Sequence, residues 1–161
     1  MLKHGDLDGD GRSEIPVSSP WGIGVYEMVG GALGVALAVA NGTRLGDWLL
    51  NTADNRFELM ADLDGDGRCE VLVSSPWGIG ILKQSGKTYT SAAVAANGTR
   101  LGDWVLNTVE NRFGPVGDFD GDGKAEVLVT SPWGVGILKL SAGKLTVLAM
   151  AANGTRFGGW Q

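Results

Sequence analysis

Short apolar runs rich in β-branched residues alternate with glycine-containing turns along the whole chain. In the middle of the chain this pattern predicts four strands, at 71–75, 79–83, 88–96 and 112–118. Pro-Trp-Gly, Ser-Gly-Lys and Asn-Gly segments separate or end these runs, and such residues are typical of tight turns. No segment has sustained helical periodicity, so the pattern predicts an all-β fold.

The same pattern occurs three times, with a constant offset of 56 residues that aligns Asp6, Asp62 and Asp118. Self-similarity at this period indicates a propeller, a solenoid or an array. Four short antiparallel strands per repeat make one propeller blade. The sequence therefore predicts a β-propeller segment with blades at 1–49, 57–105 and 113–161, joined by links at 50–56 and 106–112.

Three blades are fewer than the four to eight that β-propellers usually contain, so an open ring would expose its blade faces. The chain is seven residues short of three full periods. The missing residues correspond to the link 50–56, so the ends of the chain lie between blades. We expect the chain to associate with itself into a closed ring, with a dimer of six blades favoured over a trimer of nine. The alternative is that the chain is a fragment of a longer propeller.

Each repeat opens with an acidic loop of nine residues that has the pattern Asp-x-Asp-Gly-Asp-Gly-x-x-Glu. Alternating carboxylates, one main-chain carbonyl and a closing Glu supply only hard oxygen ligands, which favour Ca²⁺ over Zn²⁺. An EF-hand is excluded because its twelfth position carries an acid, whereas Val17, Val73 and Val129 stand there. The expected ligands of one Ca²⁺ per repeat are Asp6, Asp8, Asp10, the Arg12 carbonyl and Glu14; Asp62, Asp64, Asp66, the Arg68 carbonyl and Glu70; and Asp118, Asp120, Asp122, the Lys124 carbonyl and Glu126.

The charge distribution supports a metal-binding role for these loops. Twelve of the 18 Asp and Glu residues lie in the three loops, and the chain carries a formal charge of −5. Crowded carboxylates repel each other without a cation, and three bound Ca²⁺ ions would move the total to about +1. The loops are therefore expected to act as structural clasps that hold the blades together, and not as a reactive centre.

These motifs resemble the FG-GAP or VCBS repeat, the blade unit of integrin-α-like propellers, over the whole chain. The loop at 118–126 matches the calcium loop of that family, and Phe113-Gly114 matches the Phe-Gly of its name. Two positions depart from the family pattern: the ninth loop residue is Glu instead of the more common Asp, and Phe57 is followed by Glu58. The resemblance implies a calcium-binding propeller in a secreted or cell-surface protein, although the chain contains no signal peptide.

The resemblance extends to fungal lectins of the Psathyrella type, which bind sugars between blades, through the Gly-Gly-Trp at 158–160 and the preceding loop segment. Tryptophans in tight turns can stack on sugar rings, and repeated amides can bond their hydroxyls. The candidate ligand-binding residues are Trp21, Trp77, Trp133, Asn41, Asn97 and Asn153. The alternative interpretation is that these residues are packing anchors between blades.

Three functional classes follow from these features. A glycan-binding module explains the repeated tryptophans, whereas a self-assembling or adhesive scaffold, natural or engineered, explains the near-identical repeats. An enzyme is not expected, because the one histidine, His4, is unrepeated and the clustered acids serve the loops. The scattered basic residues do not indicate a nucleic-acid surface, and no apolar run is long enough to insert into a membrane.

Overall fold

The computed structural model describes residues 5–158, and the 15 strands in this range account for all of its regular secondary structure. The strands are β1 Ile15–Ser19, β2 Gly22–Val29, β3 Ala32–Ala40, β4 Arg44–Leu45, β5 Trp48–Leu49, β6 Arg56–Ala61, β7 Glu70–Ser75, β8 Gly78–Ser85, β9 Thr88–Ala96, β10 Arg100–Leu101, β11 Trp104–Val105, β12 Arg112–Gly117, β13 Glu126–Ser131, β14 Gly134–Ser141 and β15 Lys144–Ala152. Within the described range there is no helix able to cross a membrane.

These strands form three antiparallel meanders. Sheet 1 has the order β1-β2-β3, sheet 2 the order β6-β7-β8-β9, and sheet 3 the order β12-β13-β14-β15. The four strands predicted in the middle of the chain, at 71–75, 79–83, 88–96 and 112–118, are confirmed to within one or two residues at each end. Sheets 2 and 3 have the strand order of propeller blades, and the all-β class is confirmed.

The fourth strand that the repeat predicts for sheet 1 falls on residues 1–5. Residues 1–4, which include His4, lie outside the described part of the chain, and so does Trp160. The expectations for these residues are therefore not tested. The predicted blade and link ranges likewise stay predictions.

Two small hairpins, absent from the predicted strands, follow sheets 1 and 2. The first hairpin pairs β4 with β5, and the second pairs β10 with β11. Each hairpin presents one fully buried tryptophan, Trp48 or Trp104, to the sheet that follows it along the chain. The hairpins therefore join neighbouring blades and contribute to the core.

The core consists of two apolar clusters, each of which spans a junction between sheets. One cluster surrounds Trp48 and joins sheets 1 and 2, and the other surrounds Trp104 and joins sheets 2 and 3. Cys69 is fully buried in the first cluster, where its sulfur accepts a hydrogen bond from the Gly5 amide. Most of the apolar burial thus occurs between blades, as in other repeat proteins whose units pack only on their neighbours.

Candidate metal loops and the junctions between blades

Each acidic loop connects the first two strands of its blade in sheets 2 and 3, and the backbone of the loop fixes its carboxylates. In loop 2 (62–70), Gly65 and Gly67 have positive φ angles of 82° and 89°, which glycine adopts without strain. The amides of these two glycines donate to the two oxygens of Asp62, at 2.8 and 3.0 Å. Loops 1 (6–14) and 3 (118–126) repeat these bonds. The first Asp of each loop therefore organises the turn.

The next two acids each use one oxygen in the turn and keep the other for the loop centre. Asp64 Oδ1 accepts from the Asp66 amide and Asp66 Oδ1 from the Arg68 amide, each at 3.0 Å. Carboxylate oxygens from the three Asp residues lie within 4.8 Å of one another in every loop. This spacing allows a single cation to contact several of them.

The closing Glu contributes a further oxygen from the buried side of the loop. Glu70 is completely buried, and its Oε2 accepts from the amides of Leu63 and Asp64, whereas its Oε1 has no hydrogen-bond partner. Burial, reinforced by the nearby Asp64 charge, raises the pKa of Glu70 to about 7. Glu126 is buried in the same way and also has an Oε1 without a hydrogen-bond partner. When these two carboxyl groups are ionised, they need a nearby positive charge.

In loops 2 and 3 that charge comes from a lysine on the third strand of the blade. The ammonium of Lys83 contacts Asp64 Oδ2, lies 2.7 Å from Asp66 Oδ2 and lies 3.4 Å from Glu70 Oε1. Lys139 makes the corresponding contacts with Asp120, Asp122 and Glu126. Burial alone would lower the pKa of Lys83, but hydrogen bonds to Asp64 and Asp66 outweigh it and raise that pKa.

Loop 1 differs from the other two because Glu27 occupies the position of Lys83 and Lys139. Its closing acid, Glu14, is buried, and burial together with the surrounding Asp residues raises the pKa of Glu14. Two basic side chains lie near this loop. The Arg12 Nε lies 3.9 Å from Asp10 at the exposed rim, and the Arg68 side chain lies against Gly9. The acidic motif alone does not predict this difference, although the 56-residue offset places Glu27, Lys83 and Lys139 in register.

All three loops contain a set of hard oxygens that fits Ca²⁺: aspartates held by backbone amides and a closing glutamate. The Asp and Glu residues predicted as ligands are brought together in each loop. The direction of the Arg12, Arg68 and Lys124 carbonyls stays a prediction. The oxygen-only donor set suits a hard cation and offers no nitrogen or sulfur for zinc.

Neighbouring loops are hydrogen-bonded to one another. The Cys69 amide donates to the Asp6 carbonyl at 2.6 Å, and the Ala125 amide donates to the Asp62 carbonyl at 2.8 Å. Each bond links the end of one loop to the start of the preceding loop. Because of this contact a change in one loop is expected to affect the junction between two blades.

The predicted ligand-binding tryptophans have different environments in the three blades. Trp77 stacks on Trp48 with ring centroids 4.3 Å apart, and Trp133 stacks on Trp104 at 4.1 Å. Trp77 is 42% exposed, and Trp21 is 81% exposed. Two of the three tryptophans are therefore engaged at blade junctions, which favours the packing interpretation for them.

All three predicted asparagines bond the turn of their own blade, and Asn41 and Asn97 also bond the link that follows. Asn41 donates to the Pro20 carbonyl at 3.0 Å and exchanges two hydrogen bonds with Thr52. Asn97 makes the same bonds to Pro76 and Thr108, and Asn153 donates to the Pro132 carbonyl. These amides are committed to the fold, so they have little capacity left for a ligand.

A cleft of about 310 Å³ lies between sheets 2 and 3, beside the two inter-blade links. Its lining includes Asp54, Arg56, Ser74, Thr108 and Arg112. A corresponding cleft beside sheet 1 contains Ser18, Ser19 and Thr52. No sequence motif predicts these clefts, because their residues come from separate segments that only the packing of the blades brings together.

Two sequence profiles match the chain. One, described as an FG-GAP-like repeat, matches residues 62–129, and the other, described as an FG-GAP repeat, matches residues 112–148. Together these matches cover 62–148, slightly more than half of the chain. A search of curated proteins finds no match.

Proposed function

Because the chain belongs to the FG-GAP repeat family, we propose that it is a calcium-stabilised propeller module in which each acidic loop binds one Ca²⁺. The main support is the convergence of three carboxylate oxygens, from Asp64, Asp66 and Glu70, on one cation position in loop 2. A side-chain ammonium holds that position, which indicates that the loop favours positive charge there. The role proposed for the loops is binding and structural, and not catalytic.

In this proposal the aspartates and closing glutamates hold the ion, and the ion neutralises carboxylates that would otherwise repel each other. Ca²⁺ takes six to eight oxygen ligands with flexible geometry, which suits a loop whose acids already accept backbone hydrogen bonds. Because Ca²⁺ would bind the folded loop and not the unfolded chain, its binding would stabilise the blade.

The three loops are expected to bind calcium unequally. Lys83 and Lys139 compete with the ion in loops 2 and 3, whereas loop 1 has Glu27 at the corresponding position of the repeat and so has no such competing lysine. Isothermal titration of the metal-free protein should therefore resolve a tighter site and two weaker ones. Replacing both lysines in the double variant Lys83→Met, Lys139→Met should tighten the two weaker sites by roughly tenfold or more, because a competing charge is removed.

A matched control and a reverse change complete this test. Lys87→Met removes an exposed charge outside the loops and should leave all three affinities unchanged. Glu27→Lys should weaken the tight site toward the values of the other two. Absence of calcium binding in the wild-type protein and in the double variant would refute the calcium proposal itself, whereas equal affinities would refute only the ranking.

A second candidate function is recognition of a glycan in the cleft between sheets 2 and 3. The favouring observation is that two charged side chains, Arg56 and Arg112, line this cleft, and that a corresponding cleft lies beside sheet 1. Such groups can bond sugar hydroxyls, and repeated weak sites would gain avidity. Trp21, the most exposed tryptophan within residues 5–158, is the remaining candidate for stacking on a sugar ring.

Glycan binding is tested with a glycan array in the presence of calcium, followed by titration of any sugar that binds. Arg56→Ala should weaken binding about tenfold or more if the cleft is the site, since it removes a charged hydrogen-bond donor. Arg44→Ala is the matched control, because Arg44 is exposed on the first hairpin and does not line the cleft. Loss of binding in Trp21→Ala but not in Arg56→Ala would place the sugar on sheet 1 instead.

A further inference from the structure

The junctions between sheets 1 and 2 and between sheets 2 and 3 have the same construction. In each, a hairpin tryptophan covers a strand glycine of the next sheet and stacks on the tryptophan of its Pro-Trp-Gly turn. A Cβ atom on Gly80 would lie 2.6 Å from Cε3 of Trp48, and one on Gly136 would lie 2.9 Å from Cε3 of Trp104. The glycines therefore form slots that admit the indole rings.

Sheet 1 has the same slot, and no residue in 5–158 fills it. A Cβ atom on Gly24 would make only ordinary contacts, the nearest with Val17 Cγ2 at 3.4 Å. Trp21, which corresponds to the stacked Trp77 and Trp133, is 81% exposed beside a cavity of about 560 Å³. Val35 is 61% exposed, whereas its counterparts Ser91 and Val147 lie against the hairpin glycines Gly46 and Gly102. This open slot is one half of a blade junction.

The other half of the junction lies on the third repeat. Phe157 is 60% exposed, whereas its counterparts Leu45 and Leu101 are buried by the next sheet. Phe119 in loop 3 is 49% exposed, whereas Leu7 and Leu63 in the other two loops are buried. The sequence ANGTRFGGW at 152–160 repeats the hairpin sequence ANGTRLGDW and ends in Trp160, which lies outside the described residues. The third repeat thus carries the sequence of a hairpin and the apolar residues that would face a following blade.

We infer that the slot of sheet 1, formed around Gly24 and Trp21, binds the Trp160 segment of a second copy of this chain. The proposed interface continues the pattern of the two junctions within the chain. At the junction of sheets 2 and 3, Trp104 covers Gly136 and contacts Trp133. In the proposed interface Trp160 would cover Gly24 and contact Trp21 in the same way. Phe157 and Phe119 of one copy would become buried against sheet 1 of the other copy. Because the two surfaces are different, the contact is head-to-tail, and two such contacts close a six-bladed ring of two chains.

The inference does not depend on calcium binding or on a glycan, and it assigns Trp21 to a protein contact. The two surfaces can be disabled separately by single substitutions. Trp160→Ala removes the inserted side chain, and Gly24→Leu fills the slot. The second change should be tolerated within one chain because Gly24 has room for a Cβ atom and does not need a positive φ angle.

The test is sedimentation equilibrium of the full chain with calcium, over a range of protein concentrations. The wild-type protein should sediment as a closed dimer of about twice 16.8 kDa. Either single variant should weaken dimerisation by about 30-fold or more, the loss expected for a central interface tryptophan. Circular dichroism should confirm that both variants retain the β fold.

Mixing the variants gives the decisive result, since Trp160→Ala retains the slot and Gly24→Leu retains the inserted segment. An equimolar mixture should form an open heterodimer through the one intact junction, at concentrations where each variant alone stays largely monomeric. A wild-type protein that is folded and monomeric at high micromolar concentration would overturn the inference. It would also be overturned if both variants dimerised like the wild type, or if a sugar quenched Trp21 emission in a monomer.

Discussion

Trp104→Ala should lower the free energy of unfolding by about 3–5 kcal/mol, the range for deletion of a buried large side chain. Trp104 is fully buried, stacks on Trp133 and fills the slot above Gly136. Its indole also donates to Asn111 Oδ1 at 3.3 Å, so the substitution removes a hydrogen bond from a buried amide. Because one side chain joins sheets 2 and 3, its loss should uncouple the blades as well as leave a cavity.

Urea denaturation followed by far-ultraviolet circular dichroism measures this effect without depending on tryptophan emission. Val105→Ala is the matched control, because Val105 follows Trp104 in the same strand but is 38% exposed, and it should change stability by less than about 1 kcal/mol. Trp48→Ala should reproduce the large effect at the other junction, where the environment is the same. A loss below about 1 kcal/mol for both tryptophans would contradict the role assigned to the hairpins.

Removal of calcium with a chelator should lower the melting temperature substantially, and restored calcium should reverse the change. A single site at 100-fold excess of ion over its Kd contributes about 2.7 kcal/mol of folding free energy, and three sites are proposed here. The effect should extend beyond the loops, because the Cys69 and Ala125 amides bond to the preceding loops across the blade junctions. Differential scanning calorimetry with and without chelator measures it.

Two controls separate specific binding from general screening of charge. Sodium chloride at matched ionic strength should produce only a small part of the calcium effect, since screening weakens repulsion without occupying the loops. The double variant Asp8→Asn, Asp10→Asn should lose the contribution of loop 1, whereas Asp47→Asn, an exposed acid outside the loops, should respond to calcium like the wild type. An identical melting temperature in calcium and in chelator would contradict the stabilising role.

The repeated pattern was sufficient to predict the all-β fold and the strands of sheets 2 and 3, because strand alternation and turn residues are local properties. The Asp and Glu residues of the loops could be predicted for the same reason: their ligand spacing is fixed within nine consecutive residues. The family match agrees with that interpretation of the repeat.

Lys83 shows how a site can depend on residues that are distant in sequence. Lys83 lies 21 residues after the first residue of loop 2 and 13 residues after the last. Its ammonium reaches the loop because the third strand of the blade runs beside it. Nothing in the loop motif indicates that contact. The unequal charge of the three loops therefore becomes visible only when the strands are paired.

The sequence by itself determined the repeat, its strands and the acidic loops, since each depends on neighbouring residues. Only the tertiary structure decided what the tryptophans do, because their roles depend on contacts between successive repeats. Trp48 and Trp104 are buried by the blade that follows, whereas Trp21, with the same local sequence as Trp77, is left exposed. Identical local motifs thus acquire different environments because burial is a property of the packed neighbours and not of the motif.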